Sequence, residues 1–446
     1  MKELEFETIK SNKNRLYLFI GIVCVVVLLI TIIVSNTLAK YRVKDSVPII
    51  NSKINYKVPD LNMVSLYVAN EDGTYVEADT IPSSGYILNT EQSYCGRSNN
   101  GEIVKDDTVS IIYENGSISV DNITKKGTKC YLYFDIGQTI TAGEQILANS
   151  TNQLTRADFS TTVEDTTTGT IYYEDTSNGR TYYFAGNPTD NWVQFAGFYW
   201  RIIRINEDGS IRLIYSGNSS SGPVSTGEGT QIGKSAFNST DNNNAYVGYM
   251  YQSGQVYGLI NDSTIKGVLD TWYEDNIQAD YAQYLSTEAG FCGDRSNYTN
   301  TSGTTVGGGT GTTQTYYGAF IRLLTNRTPT FECQNNSDLY TVASSSQGNK
   351  VLDYPIGLIT ADEVVYGGLA YNDTTINNYL YTEQNYWTMT PSFFDGSYPF
   401  VFYVSSSGNF SRYFVSDSFG VRPVINLSAD VTITGSGTVF DPYKVQ

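Results

Sequence analysis

The chain predicts an α+β fold: an N-terminal transmembrane helix, a small β-sandwich, then a larger mixed domain rich in β-hairpins. Three observations carry that expectation. Residues 16–39 (LYLFIGIVCVVVLLITIIVSNTLA) form one apolar run. Beyond it, short stretches of alternating apolar and polar residues are separated by turn sequences such as Glu-Asp-Gly and Glu-Asn-Gly. Helical spacing occurs after Asp262-Ser263, where an N-cap precedes Ile265, Leu269 and Trp272 on one face. The 446 residues therefore divide into a cytosolic tail (1–15), the transmembrane helix (16–39), a stalk (40–60), the sandwich (61–136) and the mixed domain (137–446).

As a helix, the apolar run rises about 35 Å, enough to cross the hydrocarbon core of a bilayer. Lys2, Lys10, Lys13 and Arg15 precede it and Lys40, Arg42 and Lys44 follow, so flanking charge does not set its orientation. The long polar remainder and its cysteines favour an extracellular C-terminal portion. The alternative is a cleaved signal peptide with Thr37-Leu38-Ala39 as its processing site, which yields a secreted form. The run is longer than an ordinary signal core, which favours the anchor.

Net charge is −17. Residues 1–44 hold seven Lys or Arg and three Asp or Glu; removing them from the totals of 28 and 45 leaves −21 on the rest. Such a surface repels phosphates, which argues against a nucleic-acid partner. The chain contains no histidine, so Ser-His-Asp and Cys-His catalysis and His-ligated zinc are removed together.

Cys24 lies within the apolar run. The other four cysteines, Cys95, Cys130, Cys292 and Cys333, formally allow three connectivities. Sequence-local pairing, Cys95–Cys130 and Cys292–Cys333, is the simplest, and each bond would contribute about 3–4 kcal/mol. Their wide spacing disfavours zinc, and no Cys-x-x-Cys supports redox catalysis. No metal or cofactor is expected.

In the sandwich, strands are expected at 64–68, 74–77, 108–113, 117–120 and 127–134, and the domain reads as a spacer. In the mixed domain, strands fall around Tyr172-Tyr173, 180–184 and 192–195. A hairpin pairs 200–205 with 211–215 and should bury Trp200, Ile202, Ile211 and Leu213. Arg201, Arg204 and Arg212 read as outward-facing strand residues, with an anion site as the alternative. Residues 303–315 (GTTVGGGTGTTQT) read as a mobile loop tied at its base by Cys292–Cys333; no Gly-Lys-Ser/Thr makes it a phosphate loop. A short helix starts at Ala361, where Asp362 and Glu363 would compensate its dipole. A terminal hairpin turns near Gly435-Ser436-Gly437.

The most unusual stretch is 386–427 (YWTMTPSFFDGSYPFVFYVSSSGNFSRYFVSDSFGVRPVINL). Trp387, Pro391, Gly420, Arg422 and Pro423 read as its frame, with Arg422 as a structural hydrogen-bonder. Between them, aromatics interleave with Ser, Asn and Asp, which do not belong in a core. This reads as a displayed binding face. Phe393, Phe394, Tyr398, Tyr403, Arg412 and Tyr413 would grip the ligand, with Asp395 and Asn409 adding polar contacts. Strand alternation should bury about half of these positions.

The Trp-Arg-Ile-Ile-Arg hairpin, the helix around Trp272, Leu-Ile-Thr-Ala-Asp-Glu, Trp-Thr-Met-Thr-Pro-Ser and the closing Gly-Val-Arg-Pro-Val occur in an order that resembles a family of surface domains from Gram-positive, often gut-dwelling, bacteria. That family is similar to the C-type-lectin-like branch that includes the formylglycine-generating enzymes. The resemblance covers roughly 170–430 and implies a fold displaying a variable surface near its C-terminus. The copper-binding cysteine pair of those enzymes is missing, as are the Glu-Pro-Asn and Trp-Asn-Asp signatures of calcium-dependent lectins, so neither activity carries over. Relatives diversified by mutagenic reverse transcription vary just before a Gly-x-Arg-Pro ending. Residues 392–419 share that vocabulary, although ordinary strand and turn composition accounts for it too.

The function expected is a membrane-anchored surface protein presenting an adhesin-like face to an extracellular protein or glycan, without catalysis. The alternatives are a structural envelope protein without a specific ligand and an extracellular carboxylate-dependent hydrolase using Asp395, Asp417 and Asp362.

Overall fold

The computed structural model describes residues 64–446 except 71, 81–85, 100–101, 115–116, 122–126, 138–139 and 300–305. The expected tail, transmembrane helix and stalk at 1–60 lie outside the described residues. No helix among the described residues is long and apolar enough to cross a membrane. The chain divides into two units, Met1–Thr139 and Ile140–Gln446.

The first unit is built on strand β8 (Lys129–Ile136), whose alternation is clean. Cys130, Leu132 and Phe134 are buried on one face, and Tyr131 and Tyr133 stack on Tyr94 and Tyr67 on the other. β1 (Val64–Ala69) lies parallel to β8, in register from Val64↔Cys130 to Val68↔Phe134. β2 (Tyr75–Ala78) extends the sheet beyond β1. β3 (Tyr86–Leu88) and β4 (Tyr94–Asn99) share the other edge of β8, and β5 (Glu102–Lys105) follows β4. A separate hairpin, β6 (Ser110–Glu114) and β7 (Ser117–Asp121), packs Ile118 against Leu66, Leu132 and Phe134. The two layers are therefore unequal: six strands facing two. Cys95 and Cys130 stand opposite each other on β4 and β8 and form a disulfide with Cα atoms 4.0 Å apart.

The second unit opens with α1 (Ala142–Asn149), started by a reciprocal capping box between Thr141 and Glu144. Its larger sheet centres on β13 (Phe198–Ile205) and β14 (Ile211–Asn218), the hairpin expected from the sequence. On one side follow β11 (Gly179–Tyr183), β10 (Thr170–Thr176) and β9 (Asn152–Leu154); on the other, β26 (Val424–Leu427) and β21 (Ile356–Gly357). β12 (Trp192–Phe195) pairs with β13 and with β28 (Tyr443–Val445), which forms the terminal hairpin with β27 (Ile433–Thr434). A second sheet runs β15 (Gly233–Ala236), β25 (Ser418–Val421), β22 (Tyr386–Phe394), β23 (Pro399–Val404) and β24 (Phe410–Phe414), with β19 (Thr315–Tyr316) on β22. Two small ladders pair β16 (Met250–Tyr251) with β17 (Asn261–Asp262) and β18 (Phe291–Cys292) with β20 (Leu339–Tyr340).

Trp200, Ile202, Ile211 and Leu213 are all buried. α2 (Thr264–Asn276) is capped by Ser263 and packs Trp272 on Phe198, Trp200 and Tyr215. The arginines overturn the expectation of outward-facing positions. A bulge between Ile202 and Arg204 resets the alternation of β13, so Arg201, Arg204 and Arg212 share the face opposite Trp200 and Ile202. That face is covered as well. Arg201 is enclosed against Asn191 Oδ1 (2.6 Å), the Pro188 carbonyl (2.7 Å) and the Trp192 ring. Burial, with the Arg422 charge nearby, draws its guanidinium down to about 9.

The described part of the glycine-rich segment, 306–315, is anchored. Asn244 Nδ2 donates to the carbonyls of Thr310, Gly311 and Thr313, and Gly309 N–H donates to Thr315 Oγ1. Cys292 and Cys333 are bonded, with Cα atoms 5.5 Å apart.

Candidate functional site

β22 threads the middle of the second sheet. Trp387 is fully enclosed, and its indole N–H donates to the Ser235 carbonyl at 2.9 Å. Arg422 donates from Nε and Nη2 to the Tyr215 carbonyl at 3.1 and 2.9 Å and lies over the Tyr386 ring, so it does act as structural support. Between these anchors, β23 and β24 pair Phe400↔Phe414, Phe402↔Arg412 and Val401↔Tyr413.

Alternation then sorts the aromatics into two groups. On one face Phe393 stacks on Phe400 (4.2 Å between ring centres), and Phe400 meets Phe414 (4.6 Å). Tyr316 and Phe320 extend this row, the second from α3 (Gly318–Ile321). Arg412 lies across it, 5.1 Å from the Phe320 ring and 5.2 Å from Phe393, and donates to Tyr371 Oη at 3.2 Å. No carboxylate pairs with Arg412 among the described residues. On the opposite face Tyr403, Tyr413 and Phe419 form a triangle 4.8 to 6.1 Å on a side, backed by Trp387. Tyr398 and Tyr413 are 47% and 40% exposed, and both touch Phe414 at the sheet edge.

The structure thus brings Phe393, Arg412, Tyr403 and Tyr413 onto one small sheet, with Tyr398 in its β22–β23 turn, but it sets Phe393 and Arg412 on one face and Tyr403 and Tyr413 on the other, so they do not form the single face expected. Phe394 is a correction: it is fully buried and packs the core instead of facing a ligand. Pairing it with Pro399 turns its side chain away from the Phe393 row. Asp395 uses Oδ1 to accept from the backbone N–H groups of Ser397 and Tyr398, both at 2.7 Å, and so builds the β22–β23 turn. Asn409 lies in the β23–β24 turn, where its carbonyl accepts from Ser405 N–H. These two polar residues stand at opposite ends of β23, about 20 Å apart along a six-residue strand, and do not serve one ligand group.

No family model, curated protein or solved structure matches this chain.

Three members of the row, Tyr316, Phe320 and Tyr371, escaped the sequence reading. They come from β19, α3 and the segment after α4 (Ala361–Tyr366), and no local pattern links them to 386–427. Phe400 and Phe414 did have a signal, the period-2 alternation that pairs them with Phe393 and Tyr398. Two of the three acids of the hydrolase alternative, Asp362 and Asp395, have structural roles. Asp362 is buried in a two-oxygen ion pair with Arg322 (2.9 and 2.7 Å) and accepts from Thr330 N–H. No hydrogen bond joins it to Asp395 or Asp417, nor those two to each other.

Proposed function

We propose that this is a surface-displayed binding protein. Its second unit grips an extracellular protein or glycan through the aromatic rows of β22–β25, and residues 16–39 hold it to the membrane. One observation carries the reading: a contiguous run of part-exposed aromatic rings crossed by a guanidinium that has no carboxylate partner among the described residues. Rings of this kind offer large, rigid contact area at low entropic cost, and Arg412, hydrogen-bonded to Tyr371, offers directional donors. Two formed disulfides suit an oxidising, extracellular setting. A C-type-lectin-like plan for the second unit is part of the same proposal, supported by its order of motifs and by the display of 392–419 on a framed sheet.

The test is capture of the full chain, in detergent, on arrays of glycans and host extracellular proteins. A specific ligand lost in Phe393→Ala/Tyr413→Ala supports the reading. Binding unchanged in that variant moves the site elsewhere, and no binding on any array favours a structural envelope role.

A further inference from the structure

A cavity of about 520 Å³ opens beside the Cys292–Cys333 disulfide, away from the aromatic rows. Its floor holds three guanidiniums and three carboxylates. Glu363 takes Arg212 at 2.6 Å and Arg204 at 3.0 Å, while Arg322 bridges Asp294 at 2.6 Å and Asp362 at 2.7 Å. Arg322 reaches this position where α3 widens into a π turn over Arg322–Asn326. Every arginine in the lining is therefore already paired. An anion would have to break one of these buried pairs and leave its carboxylate without compensation, which is strongly unfavourable.

The walls shift the balance the other way. They add Glu207, Asp208, Glu288 and Glu332 but no further Lys or Arg, so the lining carries seven acids against three bases, a net −4. Asp294 is the focal group. It is 4% exposed, it sits on a left-handed backbone (φ 48), and its Oδ2 accepts from Arg322 while Oδ1 has no hydrogen-bond partner. Burial, with Asp362 close by, pushes its carboxyl up to about 6 against the pull of Arg322. Leu339 and Phe331 supply an apolar wall. No cluster of acids and cysteines suited to a metal ion occurs among the described residues.

We propose that this cavity binds an organic cation, an alkylammonium group that lies along Leu339 and Phe331 and satisfies Asp294 Oδ1. A lysine side chain of a partner polypeptide and a free small amine share that chemistry. The disulfide helps shape the site: Cys292 lies two residues before Asp294 and Cys333 follows Glu332, so one covalent bond ties together two acid-bearing segments of the wall.

The experiment is calorimetric titration of the full chain with N-acetyl-lysine methylamide, n-butylammonium, the neutral N-acetyl-norleucine methylamide and phosphate. Saturable binding of one or both cations is expected, weakened about tenfold in Asp294→Asn and several-fold in Glu332→Gln. Preference for the lysine compound identifies a polypeptide source, and equal binding of butylammonium identifies a free amine. Glu332→Gln keeps the acceptor for Ser177 N–H, so it tests charge even where Asp294→Asn perturbs folding. The proposal is overturned by equal binding of the norleucine compound, by preferential binding of phosphate, by cation affinity unchanged in both variants, or by no cation binding up to ~20 mM. Phe393→Ala/Tyr413→Ala leaves this titration unchanged, so the two sites fail or stand independently.

Discussion

Arg412 sets its guanidinium 5.2 Å from the centre of the Phe393 ring while donating to Tyr371 Oη at 3.2 Å. That contact joins two strands of the candidate face to the segment after α4, which supplies Tyr371. Arg412→Ala should remove about 0.5–2 kcal/mol of cation–π stabilisation. Its effect on ligand capture should be larger than its effect on melting, because the aromatic sheet keeps its own packing. Parallel binding and melting measurements check this; equal loss in both would make Arg412 a packing residue only.

Asp294 gives the second unit a pH dependence of unusual sign. Its carboxyl lies at about 6 in the folded chain against a model-peptide value of 3.8. Between those values the folded state binds more protons than the unfolded state, so stability is fully present below the lower value and is lost as pH rises through about 6. All four tryptophans (Trp192, Trp200, Trp272 and Trp387) belong to this unit, so their fluorescence isolates its unfolding. Denaturant midpoints should fall from pH 4 to pH 6, by at most ~1.4 kcal/mol per pH unit from this group. Asp294→Asn should flatten that slope.

Cys292→Ser/Cys333→Ser opens a loop with a sequence separation of 41. The expected cost is about 3–4 kcal/mol, read from the same tryptophan signal. The same variant should weaken alkylammonium binding, since the wall it joins carries Asp294 and Glu332.

Gly408 turns β23 into β24 at φ 86, and a Cβ there would collide with the Thr375 carbonyl. Gly408→Ala should cost at least ~2 kcal/mol and shift Arg412 and Tyr413 along with the hairpin. A melting curve gives the first effect and ligand capture the second.

Genes from related strains offer a fifth check. If 392–419 is diversified, differences should fall on outward positions such as Phe393, Tyr398, Tyr403, Arg412 and Tyr413. Val401, Phe402, Val404 and Phe410, all buried, should stay apolar. Differences spread evenly over the chain would remove the idea of a variable surface.

The local parts of this fold were legible in the sequence. Alternation around an Asn-Glu-Asp-Gly turn located β13–β14, Ser263 located the start of α2, and nearest-neighbour pairing matched both disulfides. What escaped depends on partners distant in sequence. The bulge at Ile202/Arg204 has no compositional mark, yet it decides which face three arginines share. Asp362 and Glu363 looked like dipole compensation. Thr360 and Glu363 do form a capping box, but Glu363 also receives Arg204 and Arg212 from another layer. The 303–315 segment looked mobile because nothing within it predicts the three bonds from Asn244. Half of the candidate face was visible as strand alternation; Tyr316, Phe320 and Tyr371 join it only through tertiary packing.

The parallel pairing of β1 with β8 has a mechanical consequence. Among the described residues of this unit β1 is the first strand and β8 the last, and the two are adjacent and parallel from Val64↔Cys130 to Val68↔Phe134. Tension pulling the two ends apart would therefore load the hydrogen bonds of this ladder in shear, all at once, instead of peeling them singly. Beside it, the Cys95–Cys130 bond clamps β8 to β4. Tension carried along the chain would meet strands whose hydrogen bonds yield together.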